Sequence, residues 1–334
     1  MSPRLGLALD TGDITLPDSG PIVVLHPRNG MDLSMLPKTH TQIIQPLWSD
    51  HADYSTQGFD CSPEASGTDQ VWKAAIVCLP RAKALAHELI ALALSRTVGP
   101  VIIDGDKTDG IESIYRDLRK SGAVSEAISK AHGKIFWLES DTSIAAPWPK
   151  PNLVTVDGFQ TRPGVFSADG IDPGSALLVS CLPAKLGRSV VDLGAGWGFL
   201  SAHALHDSEE VETLDLVEAD YRALSCAKAN ITDHRARFHW ADALSWETQN
   251  RVDCVIMNPP FHQGRKTDTE LGRGFIMSAK RLLTSSGQLF MVANRHLPYE
   301  KTLSDAFGQV QEIGGDNRFK VLQAGKPRVS KHRA

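Results

Sequence analysis

Short apolar runs alternate along this chain with longer stretches of helical spacing. In the first part, Ile22 to Leu25 predicts a strand, and Arg81 to Ser95, rich in Ala and Leu at helical spacing, predicts a helix. Pro100-Val101-Ile102-Ile103-Asp104-Gly105-Asp106 reads as a buried strand ending in a turn. A helix over 111–121 and a further strand from Ile135 to Leu138 follow it. The stretch from Asp141 to Asn152 breaks the pattern, because Pro147, Pro149 and Pro151 remove backbone donors and favour extended chain, as in a linker. Beyond it the alternation returns more strongly, with strands expected at 189–193, 213–217, 236–240, 254–257, 288–293 and 318–324. Helices are expected at 197–206, 220–230 and 269–283. Strands alternating with helices imply an α/β layer with a mostly parallel sheet in each part.

Composition agrees with two soluble domains. The chain has 334 residues, 42% hydrophobic and 22% charged, and a chain of that length exceeds the usual single domain. No run of eighteen apolar residues occurs and the N-terminus has no signal-like core, so a cytoplasmic protein without a membrane partner is expected. The five cysteines, Cys61, Cys78, Cys181, Cys226 and Cys254, are scattered without zinc-ligand spacing and are expected to be reduced thiols; no metal is expected. Net charge is −4, yet residues 1–150 carry 14 basic and 18 acidic side chains while 151–334 carry 21 of each. From Arg318 to Ala334 there are six basic residues and no acid, which leaves a phosphate-contacting edge open beside the simpler reading of a solvated tail.

Two stretches carry chemistry. Val190-Val191-Asp192-Leu193 runs into Gly194-Ala195-Gly196-Trp197-Gly198, a strand followed by glycines and then a helix. Such a turn lets a nucleotide-type ligand lie on bare backbone, and dinucleotide enzymes use a related one. Asp192, just before the glycines, is placed to orient the turn and meet the amino-acid end of S-adenosylmethionine. Glu218, about twenty residues beyond the glycines, is placed to accept both ribose hydroxyls, and Asp242 to accept from the adenine amine. Taken singly, Glu218 and Asp242 read more simply as capping or surface acids; their register with the glycine turn is what favours the cofactor role. The loop at Gly105 to Gly110 in the first part lacks clustered glycines, so that part reads as the same sheet without a working cofactor loop.

The second stretch is Asn258-Pro259-Pro260-Phe261, where two prolines force the chain to turn at the end of a buried strand, beside the cofactor. A planar amine is a poor nucleophile because its lone pair is delocalised. Two acceptors, the Asn258 side-chain carbonyl and the Pro259 backbone carbonyl, can aim that lone pair at a methyl group, while Pro260 stiffens the loop. Phe261 offers a face for a planar base, worth on the order of 1–3 kcal/mol. A nucleobase amine, an adenine amine and a protein glutamine amide are all open as substrates, and a non-catalytic RNA-binding assembly factor is the reading from another class. The chain has no HExxH, GxSxG or GxxxxGK[ST].

The residues from Phe166 to Ser175, from Asn258 to His262, from Val292 to Tyr299 and from Gly315 to Val321 resemble the ribosomal RNA small-subunit guanine-N2 methyltransferases, with specific likeness over about 153–326. Large-subunit guanine-N2 enzymes carry the same motifs. The resemblance implies two tandem Rossmann-like class I methyltransferase domains. The first, 1–146, would be a degenerate domain serving RNA binding or support. The second, 153–326, would be catalytic with a mostly parallel seven-stranded sheet, and 327–334 a basic tail. It also implies methylation of a guanine N2 amine in ribosomal RNA, 16S rRNA or the small ribosomal subunit being the expected partner of a monomeric enzyme. Phe166 and Asp169 would lie in the cofactor loop, and Phe261 would stack on the guanine. His262, Arg265, Lys266, Arg318 and Lys320 are expected to contact the RNA. Trp197, bulky where relatives often have a small residue, is expected to pack under the first helix.

Overall fold

The computed structural model describes residues 3–65, 70–122, 124–141, 146–148, 154–260, 262–263, 266–267 and 269–328. The chain divides into two units, Met1–Leu153 and Val154–Ala334. In the first, α1 (Pro3–Asp10), β1 (Ile22–Leu25), β2 (Thr41–Ile44), α2 (Trp48–Thr56), β3 (Asp60–Ser62) and β4 (Ala74–Cys78) come before α3 (Lys83–Arg96) and β5 (Val98–Asp106). Then follow α4 (Ile111–Ser121), β6 (Ile128–Lys130) and β7 (Gly133–Asp141). The second unit opens with a hairpin, β8 (Val154–Val156) and β9 (Phe159–Thr161), then α5 (Pro173–Cys181), β10 (Ser189–Leu193), α6 (Phe199–Asp207), β11 (Thr213–Glu218), α7 (Tyr221–Asn230) and β12 (Ala236–Trp240). It continues with β13 (Val252–Met257), a ribbon of β14 (His262–Gln263) and β15 (Lys266–Thr267), α8 (Thr269–Leu282), β16 (Leu283–Asn294), α9 (Tyr299–Ala306), β17 (Phe307–Gly315) and β18 (Phe319–Pro327).

Each unit builds a seven-stranded sheet, and the strand orders match: β3-β2-β1-β4-β5-β7-β6 and β12-β11-β10-β13-β16-β18-β17. The first four pairings in each order are parallel and the last two antiparallel, so β7 and β18 alone run against the other six strands of their sheets. Helices cover both faces of the second sheet, so its central strands bury alternate residues in opposite cores. Val190, Cys254, Ile256, Phe290 and Val292 pack on one side, and Val191, Val255, Met257, Leu289 and Met291 on the other. A strand buried on both faces reads as a continuous apolar run. That is why these strands stand out in the sequence.

The two units also share the wiring at the centre of the sheet. The amide N–H of Gly194 donates to the Val217 carbonyl at 2.8 Å, and that of His26 donates to Ile44 at 2.8 Å. His26 and Gly194 both have positive φ, 61° and 76°. By this register Gln45 stands where Glu218 stands, and Cys78 where Asn258 stands. In the first unit the chain past β1 continues as Pro27-Arg28-Asn29-Gly30, with one glycine where the second unit has three in alternation. Arg4 and Arg28 occupy that edge. Arg4, nearly buried, pairs with Asp104 at 2.5 Å and Asp106 at 3.0 Å; Arg28 pairs with Asp109 at 2.6 Å. Removing one member of a buried pair strands the other charge, so Arg4→Met is expected to destabilise the first unit by about 3–5 kcal/mol. A urea-unfolding midpoint equal to that of the parent chain would refute this role.

Candidate active site

Strand register brings the two sequence motifs together. Leu193 at the end of β10 pairs with Val217 of β11 on one side and with Met257 of β13 on the other. The next residues, Gly194, Glu218 and Asn258, therefore leave the sheet from one level. The chain order reverses at β10, and ligands of open α/β sheets sit outside the strand ends at such a point.

The glycine turn is held from two sides. Glu218 accepts from the Gly196 N–H and the Asp220 N–H, each at 2.8 Å. Gly196 lies at φ 55°, and a Cβ there would meet no atom within 4 Å, so bare backbone faces open space. Gly198 lies at φ 92° with Ile231 Cδ1 only 2.8 Å from where a Cβ would be, so α6 can start this close to α7 only from glycine. Trp197 is buried against Phe159 and Phe199, and its indole N–H donates to the Phe166 carbonyl at 3.0 Å. Asn230 donates to the Trp197 and Gln160 carbonyls, tying the β9 hairpin to the same turn.

Asn258 leaves β13 half-buried, and its side-chain amide donates to Asp172 Oδ2 at 2.9 Å and Ser175 Oγ at 2.8 Å. Pro259 behind it is buried and Pro260 is exposed. Phe166, Ser167, Asp172, Gly196, Trp197 and Asn258 are among the residues lining one cleft, which opens to solvent. Its bare glycine floor and apolar walls suit an extended nucleoside with a small charged end.

The family model described as Methyltransferase small domain matches residues 157–323. Ribosomal RNA small subunit methyltransferase C of Shewanella pealeana is 31% identical over 76% of this chain and 77% of its own length. The protein of that name from Hahella chejuensis is 32% identical over 77% and 78%. This chain belongs to the ribosomal RNA small subunit methyltransferase C family. The Thermus thermophilus 16S rRNA N2 methyltransferase, solved with AdoMet and guanosine, shares the fold, with a TM-score of 0.77 over 93% of this chain and 90% of that one at 22% identity.

In this family member the acids near the turn are of two kinds. Asp192 is fully buried beneath the turn, where Ser201 donates to Oδ2 at 2.7 Å. Its Oδ1 is buried with no partner among the described residues, an acceptor open to a bridging water. Burial pushes the Asp192 carboxyl up to about 7 against the Ser201 hydrogen bond, and the Glu218 charge adds to the rise. Burial likewise pushes Glu218 up to about 7, opposed by its backbone donors. Asp242 follows β12 and spends Oδ1 on the Leu244 N–H at 2.9 Å, so it closes a turn as the capping reading expects. Its other oxygen accepts from none of the described residues. Phe166 is 62% exposed on the cleft rim, and Asp169 is exposed.

Among the expected RNA contacts, Arg318 is exposed, its guanidinium over the Phe319 ring at 5.2 Å. Lys320 corrects the sequence reading. It is 3% exposed, and its ammonium is held by Glu300 and the Leu297 carbonyl, so it braces α9 and does not face solvent. Phe261 and Arg265 lie outside the described residues, as do the side chains of His262 and Lys266 and the tail from 329. Most of the expected linker, 142–145 and 149–153, lies outside them too, while Trp148 stacks on His87 at 4.0 Å. Sequence reasoning overlooked Asp172, Ser175, Asn230 and Ser201. Only Asp172 had a local signal, an N-cap residue followed by proline and glycine.

The raised carboxyls set a pH dependence. Between about pH 4 and 7 the folded chain holds protons on Asp192 and Glu218 that the unfolded chain has released. Stability from these groups is therefore full at the acid end and falls as pH rises through about 7. Asp192→Asn is expected to flatten that fall, read as urea midpoint against pH from 5 to 8. An unchanged slope would show that Asp192 does not hold the proton.

Proposed function

We propose that this chain transfers a methyl group from S-adenosylmethionine to the exocyclic N2 amine of a guanine in 16S rRNA. Family membership supports the RNA substrate. The observation that carries the chemistry is the orientation of Asn258, whose amide N–H groups are spent on Asp172 and Ser175. Its carbonyl oxygen accepts from none of the described residues and is left for an incoming amine.

Bound in the cleft, S-adenosylmethionine supplies a methyl on a sulfonium sulfur, which leaves as a neutral thioether. Asn258 Oδ1 and the Pro259 carbonyl accept the two N–H groups of the guanine amine and turn its lone pair toward the cleft. As the N–C bond forms, the nitrogen becomes acidic and its proton passes to water, so no strong base is required. Glu218 would hold the ribose hydroxyls, Asp242 the adenine amine, and Asp192 would act through water. Phe166 and Asp169 close the cofactor side, while Phe261 stacks on the base. His262, Arg265, Lys266 and Arg318 contact the RNA around it. A folded RNA must turn the base out of its stack to reach these groups. The first unit, with Gln45 and Cys78 at the decisive places, serves RNA binding or support, and the chain works as a cytoplasmic monomer.

Labelled S-adenosylmethionine with small ribosomal subunits from cells lacking the enzyme is expected to yield N2-methylguanine on mass mapping. Label confined to protein, or to adenine, would sink the proposal. Asn258→Ala is expected to lower turnover by about 10²–10³, with cofactor affinity by calorimetry nearly unchanged. A large loss of cofactor binding in that variant would show that Asn258 is misplaced in this scheme.

A further inference from the structure

We infer that Asp172 and Ser175 are positioning residues that fix which end of the Asn258 amide faces the cleft. The inference rests on the methyl-transfer reading of Asn258 and goes on to name what makes that residue competent.

An amide side chain has a donating and an accepting end of nearly equal size, so its shape alone does not choose an orientation. The surroundings do. Asp172 Oδ2 lies 2.9 Å from Asn258 Nδ2 and also accepts the Ser175 N–H at 2.8 Å. An ionised carboxylate only accepts, so the group facing it must be the NH₂. Turning the amide over would set its carbonyl against that carboxylate and lose a charge-assisted hydrogen bond. Ser175 Oγ takes the second N–H at 2.8 Å. With both N–H groups spent, Oδ1 is the end presented to substrate.

The acceptors are themselves held. Asp172 is the N-cap of α5, its φ and ψ at −64° and 125°, with Pro173 and Gly174 opening the helix. Ser175 is 7% exposed within the first turn. Phe319 of β18 lies against Gly174, where a Cβ would come within 3.3 Å of its ring. The helix start is therefore wedged against the sheet edge, and the segment 86 residues before Asn258 sets the polarity of the catalytic amide. Asp172 is also the one charged side chain among the described residues lining the cleft, so this orienting charge faces the cleft proposed for the cationic methyl donor.

The test uses the full chain, small ribosomal subunits from cells lacking the enzyme, and labelled S-adenosylmethionine. Asp172→Ser keeps a capping hydroxyl but is too short to reach Asn258. It is expected to lower kcat by roughly 10- to 100-fold with KM for the subunit unchanged. Asp172→Asn can place one oxygen where Oδ2 stands and is expected to recover most of that loss. Ser175→Ala leaves the backbone cap intact and is expected to cost a smaller factor, so it carries the test if Asp172→Ser does not fold. In an Asn258→Ala background neither change should lower kcat further. Wild-type kcat in both Asp172→Ser and Ser175→Ala, or a full additional loss in the Asn258→Ala background, would overturn the inference. Full activity in Asn258→Ala alone would overturn the methyl-transfer reading instead.

Discussion

Parallel pairing of β10 with β11 on one side and β13 on the other decides where every group at the site can be. Because Leu193 is level with both Val217 and Met257, the residues that follow emerge side by side, although they are 24 and 64 positions away from Gly194 in the sequence. A shift of one residue in either pairing would send alternate side chains to the opposite core. Val191, Val255 and Met257 would then trade places with Val190, Cys254 and Ile256. The placement of these strand ends is thus protected by the packing of the sheet beneath them.

The polar bonds above the sheet divide the labour differently. Glu218 is tied to Gly196, Trp197 to Phe166, and Asn258 to Asp172. Each joins a strand end or turn to a segment far away in the chain. Arg295, which follows β16 at the same end of the sheet, does the same: it donates to the Asp316 and Phe319 carbonyls and pairs with Glu312. That explains why the Asn294-Arg295-His296 stretch and the Gly315–Phe319 turn belong to one local structure.

Much of the second unit was legible because its central strands are apolar on both faces and its glycines fall directly after one of them. Strands expected at 189–193 and 236–240 coincide with β10 and β12. The short, half-polar edge elements were not legible: β3 is Asp60-Cys61-Ser62, β6 is Ile128-Ser129-Lys130, and neither has enough apolar residues to show a period. The hairpin of β8 and β9 announced itself only through Asp157-Gly158, both at positive φ. Lys320 misled because its partner Glu300 is on another element, and a strand of mixed polarity looks the same whether its lysine faces solvent or an acid. Asp172 had a readable capping role, but its contact with Asn258 exists only in three dimensions.

The first unit keeps the backbone hook of the second, His26 to Ile44 in place of Gly194 to Val217, with the same hydrogen-bond length. Gln45 even reaches back as Glu218 does, although it donates to the Pro27 carbonyl where Glu218 accepts from Gly196. The hook therefore belongs to the architecture, and the difference between the units lies in a handful of side chains. A consequence is stoichiometric: on the proposed reading one polypeptide takes up a single cofactor equivalent, although it carries two copies of the fold.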